Sequence, residues 1–169
     1  MDKIKIGSTY GYTDFITIDE QQLLMGWVND HQSKFQINGP GRKFGVIQRI
    51  VSMPFPLLEI LRQRVVDLES IKDFKPEPVF QDYIGINSTG GAIHTHTDPN
   101  QPPYIHTRFN VVLSYPEQGG ESLYGNEVNA LQERLVWKCI AGKVIHGSTP
   151  VVGNKPRITL SLGFLINDK

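Results

Sequence analysis

From Val79 onward the chain is patterned with a period of two. VFQDYIGI, AIHTHTD, HTRFNVVLSY, ESLYG, RLVWKCIA, KVIHG and RITLSLGFLI are short β-prone runs punctuated by Gly, Pro and Asn. Alternation sends successive side chains to opposite faces of a strand, so each run can bury one face and present the other. Many short strands at that spacing build an antiparallel sandwich or barrel-like roll. The first half keeps a different rhythm. Thr17 and Glu20 have capping-box spacing at the head of TIDEQQLLMGWVND, followed by Leu23, Leu24, Trp27 and Val28 at helical spacing. NGPGRK ends that region, and KFGVIQRIVSM reads as a strand. Pro56 opens a second helix with Leu57, Leu58, Leu61, Val65 and Leu68 on or near one face. Lys75 to Pro78 is a Pro-broken connection. Helices first and strands afterwards predict helices packed outside one sheet, not alternating β-α units.

Length fits a single domain over residues 1–169, with helical support at about 15–75 and a β core at about 79–166. Hydrophobic residues make up 39% of the chain, enough for a packed core. Seventeen basic and seventeen acidic side chains cancel, and no long basic run offers an electrostatic footprint for nucleic acid. Cys139 is the one cysteine, which precludes an intramolecular disulfide and suits a reducing cytoplasm. MDKIKIGSTYGYTDF lacks the apolar centre of a signal peptide, and no apolar run approaches the ~20 residues of a membrane span. A soluble cytoplasmic protein is expected.

His96 and Asp98 stand two apart in AIHTHTDP, so on a strand they project to one side. Two ligands of one metal require that, and His146 in KVIHGSTP is the best third, at the end of another expected strand beside a Gly turn. Two histidines and one carboxylate on one face of an octahedron leave positions open for substrate and oxygen, which points to iron(II) chemistry. In RITLSLGF, Ile158, Leu160, Leu162 and Phe164 share one face, while Arg157, Thr159 and Ser161 share the other. The apolar face packs. The polar face is accounted for if it lines an anion-binding cavity, where a guanidinium grips a carboxylate by two parallel hydrogen bonds. Gly119 and Gly120 read as turn residues and Cys139 as a buried core residue.

These segments resemble the 2-oxoglutarate/iron(II) dioxygenase superfamily, in its prolyl 4-hydroxylase-like branch. NSTGGAIHTHTD is similar to that branch's Gly-Gly approach to its His-x-Asp strand. FNVVLSYPEQGGESLYGN is similar to its middle strand, loop and Gly-Gly-Glu strand. HGSTPVVGNKPRITL is similar to its distal histidine and basic-residue run. The likeness runs from about Asp82 to Leu165. It implies a double-stranded β-helix, or jelly roll, with flanking N-terminal helices. It also implies a hydroxylase that couples 2-oxoglutarate decarboxylation to attack on a C–H bond, using Fe(II), molecular oxygen and ascorbate as reductant. Residue by residue, it implies iron on His96, Asp98 and His146, and the distal carboxylate of 2-oxoglutarate on Arg157, with Thr159 or Ser161 in support. Asp98 favours hydroxylation over halogenation, which needs that ligand position vacant. Two departures stand out. Asn87 replaces a tyrosine that often helps hold the co-substrate, leaving Tyr83 and Tyr124 as candidates. Lys155 also competes with Arg157, which its place inside the strand favours.

His94, Arg108 and Asn110 are candidates for the substrate pocket, while His31 and His106 receive no role. The segment Thr97 to Thr107 would cover the site. A peptide side chain and a small amino acid both remain open as substrate. Two rivals also remain: a cupin-type metal protein, with His94 and His96 as its His-x-His pair, and a non-catalytic module that only binds 2-oxoglutarate.

Overall fold

The computed structural model describes residues 1–51 and 55–167. In chain order the elements are β1 (Lys3–Ile6), β2 (Thr9–Tyr12), α1 (Ile18–His31), β3 (Gln36–Ile37), β4 (Arg42–Val46), α2 (Ile47–Ile50), α3 (Pro56–Glu69), β5 (Phe74–Pro76) and β6 (Asp82–Asn87). There follow β7 (Ile105–Ser114), β8 (Gln118–Gly119), β9 (Ser122–Tyr124), β10 (Glu127–Asn129), β11 (Val136–Cys139), β12 (His146–Ser148), β13 (Val151–Val152) and β14 (Arg157–Ile166). α1 starts on the expected capping box. The Glu20 N–H donates to Thr17 Oγ1 at 3.1 Å, and the Thr17 N–H donates to Glu20 Oε2 at 2.9 Å. Pro56 occupies the first turn of α3, where its missing N–H costs nothing.

β14 is the spine of the main sheet, antiparallel to β7 on one side and to β6 on the other. The sheet runs β1-β2-β11-β7-β14-β6-β4-β3, with β5 also on β14. Ile158, Leu160, Leu162, Phe164 and Ile166 alternate onto one face of β14. They pack with Ile84, Phe109 and Val111 against Leu24 and Val28 of α1 and Leu57, Leu58, Leu61 and Val65 of α3. Each such side chain contributes about 1.5–3 kcal/mol on burial. Smaller sheets, β10-β9-β12 and β13-β8, form the second layer. The chain is therefore mainly β, a double-stranded β-helix with helices on the outer face of its larger sheet.

Several local expectations change. Residues 15–75 include β3, β4 and β5, which join the main sheet, and β1 and β2 extend it from the other side. KFGVIQRIVSM is a strand only to Val46. The chain then makes the single helical turn α2, which buries Ile47 and lets Gln48 Nε2 donate to Asp82 Oδ2 at 2.9 Å. Ser52 and Met53 of that run lie outside the described residues. Leu23 is 59% exposed, because the α1 stripe facing the core is set by Leu24 and Val28. AIHTHTD forms one isolated bridge instead of a regular strand, and His146 opens β12 instead of ending a strand. No described helix is long and apolar enough to cross a membrane.

Candidate metal centre

His96 and His146 stand directly opposite across that single antiparallel bridge. The His96 N–H donates to the His146 carbonyl at 3.0 Å, and the His146 N–H donates back at 2.9 Å. Directly opposed residues project to the same side, and the two imidazole rings are 4.4 Å apart between centroids. Asp98 shares the side of His96, with Oδ1 at 3.4 Å from His96 Nε2. One ligand atom from each of His96, Asp98 and His146 lies within 4.8 Å of the others.

Each imidazole is oriented from behind. His96 Nδ1 lies 2.7 Å from the His94 carbonyl, and His146 Nδ1 lies 3.0 Å from the Val144 carbonyl. A carbonyl only accepts, so each ring turns a protonated Nδ1 to the backbone and faces the cluster with Nε2, the atom a metal would take. His94 thus contributes its backbone, while its ring stays outside the cluster. Gly147 permits the close approach beneath. A Cβ there would sit 2.6 Å from the Ile93 carbonyl oxygen, which accepts the Ser148 N–H at 3.0 Å.

Asp98 is held on its other oxygen. Arg108 Nε lies 3.5 Å and His106 Nε2 lies 3.7 Å from Oδ2. Arg108 is itself fixed by Glu77 at 3.2 Å, and Glu77 accepts the N–H groups of Val79, Phe80 and Gln81. Burial pushes the Asp98 carboxyl up, but the His96 contact and the charges of His106, Arg108 and His146 outweigh it and hold the group at about 2. The carboxylate is therefore ionised and available. His106 and Glu77 were not anticipated. His106 and Arg108 do alternate onto one face of β7, a signal the sequence carried. Nothing in the sequence marks Glu77.

The cluster opens on a cavity of about 360 Å³. Its far wall is the inner face of the main sheet, laid out in rows by strand register. Arg42, Asn87 and Arg157 form one row, and Phe44, Gly85 and Thr159 form the next. Gly85 supplies no side chain, which leaves room between Phe44 and Thr159. Arg157 is 5% exposed, its Nε has no hydrogen-bond partner, and Thr159 Oγ1 is likewise buried without one. Among the described residues no carboxylate pairs with Arg157, and burial lowers the pKa of its guanidinium. Lys155 is on the surface with its ammonium 2.8 Å from Glu133.

The remaining expected residues divide. His94, Arg108 and Asn110 line the cavity, as do Tyr83 and Trp137, whose buried Nε1 has no partner. Ser161 does not line it; its hydroxyl lies 3.4 Å from the Arg108 guanidinium. Tyr124 is buried away from the cavity, with its hydroxyl accepting the Ile140 N–H. Thr97 to Thr107 does not act as a cover. Asn100 pins it by donating to the Gly142 carbonyl at 2.7 Å and accepting the His106 N–H at 2.9 Å, and only Asp98 of that segment reaches the cavity.

No family model and no curated protein matches the sequence. Solved structures do match. A viral collagen prolyl hydroxylase from Paramecium bursaria Chlorella virus-1, in complex with 2-oxoglutarate, superposes with a TM-score of 0.72 at 12% identity, over 95% of this chain and 96% of that one. HygX from Streptomyces hygroscopicus, with nickel and 2-oxoglutarate bound, gives 0.73 at 8% identity, over 95% and 83%. A Pseudomonas putida prolyl-4-hydroxylase gives 0.63 at 12%, over 94% and 92%. The chain has their fold. At these identities the likeness is one of architecture, so the chemistry rests on the residues described above.

Proposed function

We propose that the chain is an iron(II)- and 2-oxoglutarate-dependent oxygenase, acting through residues 1–169 as one catalytic domain. The observation that carries it is the pairing of two features across one cavity. One wall presents His96, Asp98 and His146 with their ligand atoms converging, and the other presents a buried guanidinium that no carboxylate of the described residues pairs with. The donor set suits iron(II), with three protein ligands and open positions facing the cavity. The partnerless Arg157 suits the far carboxylate of 2-oxoglutarate. Three structures of this fold support the reading by name, since two are prolyl hydroxylases and HygX holds nickel and 2-oxoglutarate.

When bound, iron and 2-oxoglutarate supply, with molecular oxygen, an oxidant for C–H hydroxylation, releasing succinate and carbon dioxide. The chain's residues bind and orient. Arg157 fixes the co-substrate's far end with Thr159 Oγ1 beside it, taking the place of the expected tyrosine contact at Asn87. Arg108, held by Glu77, keeps Asp98 ionised and turned toward the ligand cluster. Phe44, Phe80 and Tyr83 form an aromatic side of the cavity, with centroids 5.9–6.5 Å apart, that excludes water. Asp98 in the ligand set leaves no vacancy for halide, so the product is hydroxylated. The single thiol, Cys139, fits a cytoplasmic setting.

The cupin reading needs His94 as a ligand, and its ring is not in the cluster. A module without turnover would need a further defect, such as a blocked pocket, and the open cavity of about 360 Å³ beside the ligands favours the catalytic reading over that one. The test is anaerobic titration of the iron(II) protein with 2-oxoglutarate, followed by oxygen. A weak visible charge-transfer band and then oxygen-dependent succinate are expected. His96→Ala, Asp98→Ala and His146→Ala should each lose iron and band, and His94→Ala should keep both. Iron lost from His94→Ala but retained by Asp98→Ala would overturn the ligand assignment.

A further inference from the structure

β4 brings a second arginine to the cavity. Arg42 stands opposite Asn87, which stands opposite Arg157, so the two arginines occupy one row two strands apart. Strands are spaced about 4.8 Å apart, which separates their backbones by roughly 10 Å. Among the described residues no carboxylate pairs with Arg42 and no hydrogen bond holds its guanidinium. Arg108 differs, because Glu77 neutralises it. Arg42 is half-buried and lines the cavity, and its charge is felt both at Arg157 and at His96 on the opposite wall.

The charge balance of the proposed site then leaves a remainder. A divalent ion and Asp98 together carry one positive charge, and Arg157 and Arg42 add two. The 2-oxoglutarate dianion removes two, which leaves one cation without a partner, in a cavity where electrostatic interactions are stronger than in water. The cavity volume is that of a small-molecule site. Phe44, on the Arg42 face of β4, packs edge-on with Phe80 and Tyr83 to offer an apolar wall beside that charge.

We propose that Arg42 receives an anionic group of the primary substrate, and that this substrate is a small carboxylate-bearing molecule whose apolar part lies on Phe44, Phe80 and Tyr83. The proposal rests on the oxygenase reading. A peptide segment without Asp or Glu offers Arg42 no negative charge, whereas every free acid does, so the unpaired arginine favours a free acid over a neutral peptide.

The experiment is calorimetric titration of the iron(II) protein saturated with 2-oxoglutarate, without oxygen. The probes are the common L-amino acids, their primary amides, and an uncharged blocked tripeptide. At least one acid should bind the wild type about tenfold or more tightly than its amide, a difference of about 1.4 kcal/mol. Arg42→Gln should cut that preference below about twofold and Arg42→Lys should keep most of it, because the lysine retains the charge. The 2-oxoglutarate requirement, read from the charge-transfer band in the same samples, should stay within about threefold of wild type in both variants. The proposal is overturned if no acid outbinds its amide, or if the preference survives Arg42→Gln. It is also overturned if Arg42→Gln raises the 2-oxoglutarate requirement as an Arg157 variant would, or if the tripeptide binds as tightly as the best acid. A missing band in the wild type instead defeats the oxygenase reading itself, and the substrate proposal falls with it.

Discussion

Replace Arg157 by Met, and the stability of the free protein and its response to 2-oxoglutarate should move in opposite directions. The wild-type guanidinium is 5% exposed, with no carboxylate partner and a buried Nε that bonds to nothing. Holding an ion in such a place costs several kcal/mol, and replacing even a buried ion pair by apolar groups is often neutral or stabilising by about 1–4 kcal/mol. Methionine keeps the unbranched stem that packs beneath the charge. At about 2–4 °C per kcal/mol for a chain of this length, the ligand-free Met variant should melt at least about 2 °C above wild type. With iron(II) and 2-oxoglutarate at a hundred times Kd, the wild type gains about 2.7 kcal/mol by mass action. The variant should gain little, because nothing meets the far carboxylate. The order should therefore narrow or invert once ligand is added. The assay is anaerobic thermal unfolding with iron(II), in a buffer free of carboxylate and phosphate, with and without 2-oxoglutarate. A Met variant that melts below the free wild type, or that keeps the full 2-oxoglutarate shift, would show that Arg157 is not an anion site held in strain.

Two further perturbations test the scaffold. Gly147→Ala places a methyl 2.6 Å from the Ile93 carbonyl; it should cost about 1–3 kcal/mol of stability and weaken iron binding by tenfold or more, whereas an unchanged iron affinity would mean that this contact does not position His96. Glu69 accepts from Tyr10, Tyr12 and Lys138, and these bonds outweigh the upward push of burial to leave its pKa below the ordinary 4.5. A depressed folded-state value means a contribution complete above the unfolded pKa and lost as pH falls through the folded one. Glu69→Gln should therefore be less stable than wild type at pH 7, with a gap that closes on acidification below about pH 4. Equal gaps at both pH values in denaturant unfolding would show that the network is not ionic.

How much of this was legible in the sequence depended on whether the cause was local. The alternation in RITLSLGFLI gave the whole of β14, both its faces, and Arg157 and Thr159 on the inner one. The capping box and Pro56 marked both helix starts, because those are contacts within three or four residues. The Ile93–Asp98 segment has the right period but no regular ladder. Its pairing depends on β12, far along the chain, and on the missing Cβ of Gly147. Ser161 has the same alternation as Arg157 yet serves Arg108, since only register shows which residue stands opposite Asn110 and Tyr83. Glu77 was invisible, as its role comes from three N–H groups of the loop it begins. Arg42, in a segment read as a break, gained meaning only from its row with Asn87 and Arg157.

The two walls of the cavity divide the work along a physical line. The ligands sit on short, irregular strands, where one bridge and a glycine bring two imidazoles face to face without committing a long ladder. The anion anchor sits on β14, one of the two longest strands, whose pairing with β6 and apolar outer face can hold a buried cation that a short strand could not. The helices enter here, since Leu24, Val28, Leu58 and Leu61 stabilise the outer face of the sheet whose inner face carries Arg157. A cavity-forming change in that outer core, such as Leu160→Ala, should weaken 2-oxoglutarate binding more than iron binding in a titration of the two, because Leu160 lies between Thr159 and Ser161 and away from the ligands. In this fold the helices are part of the binding machinery at one remove, because the sheet they support is what keeps an unpaired charge folded.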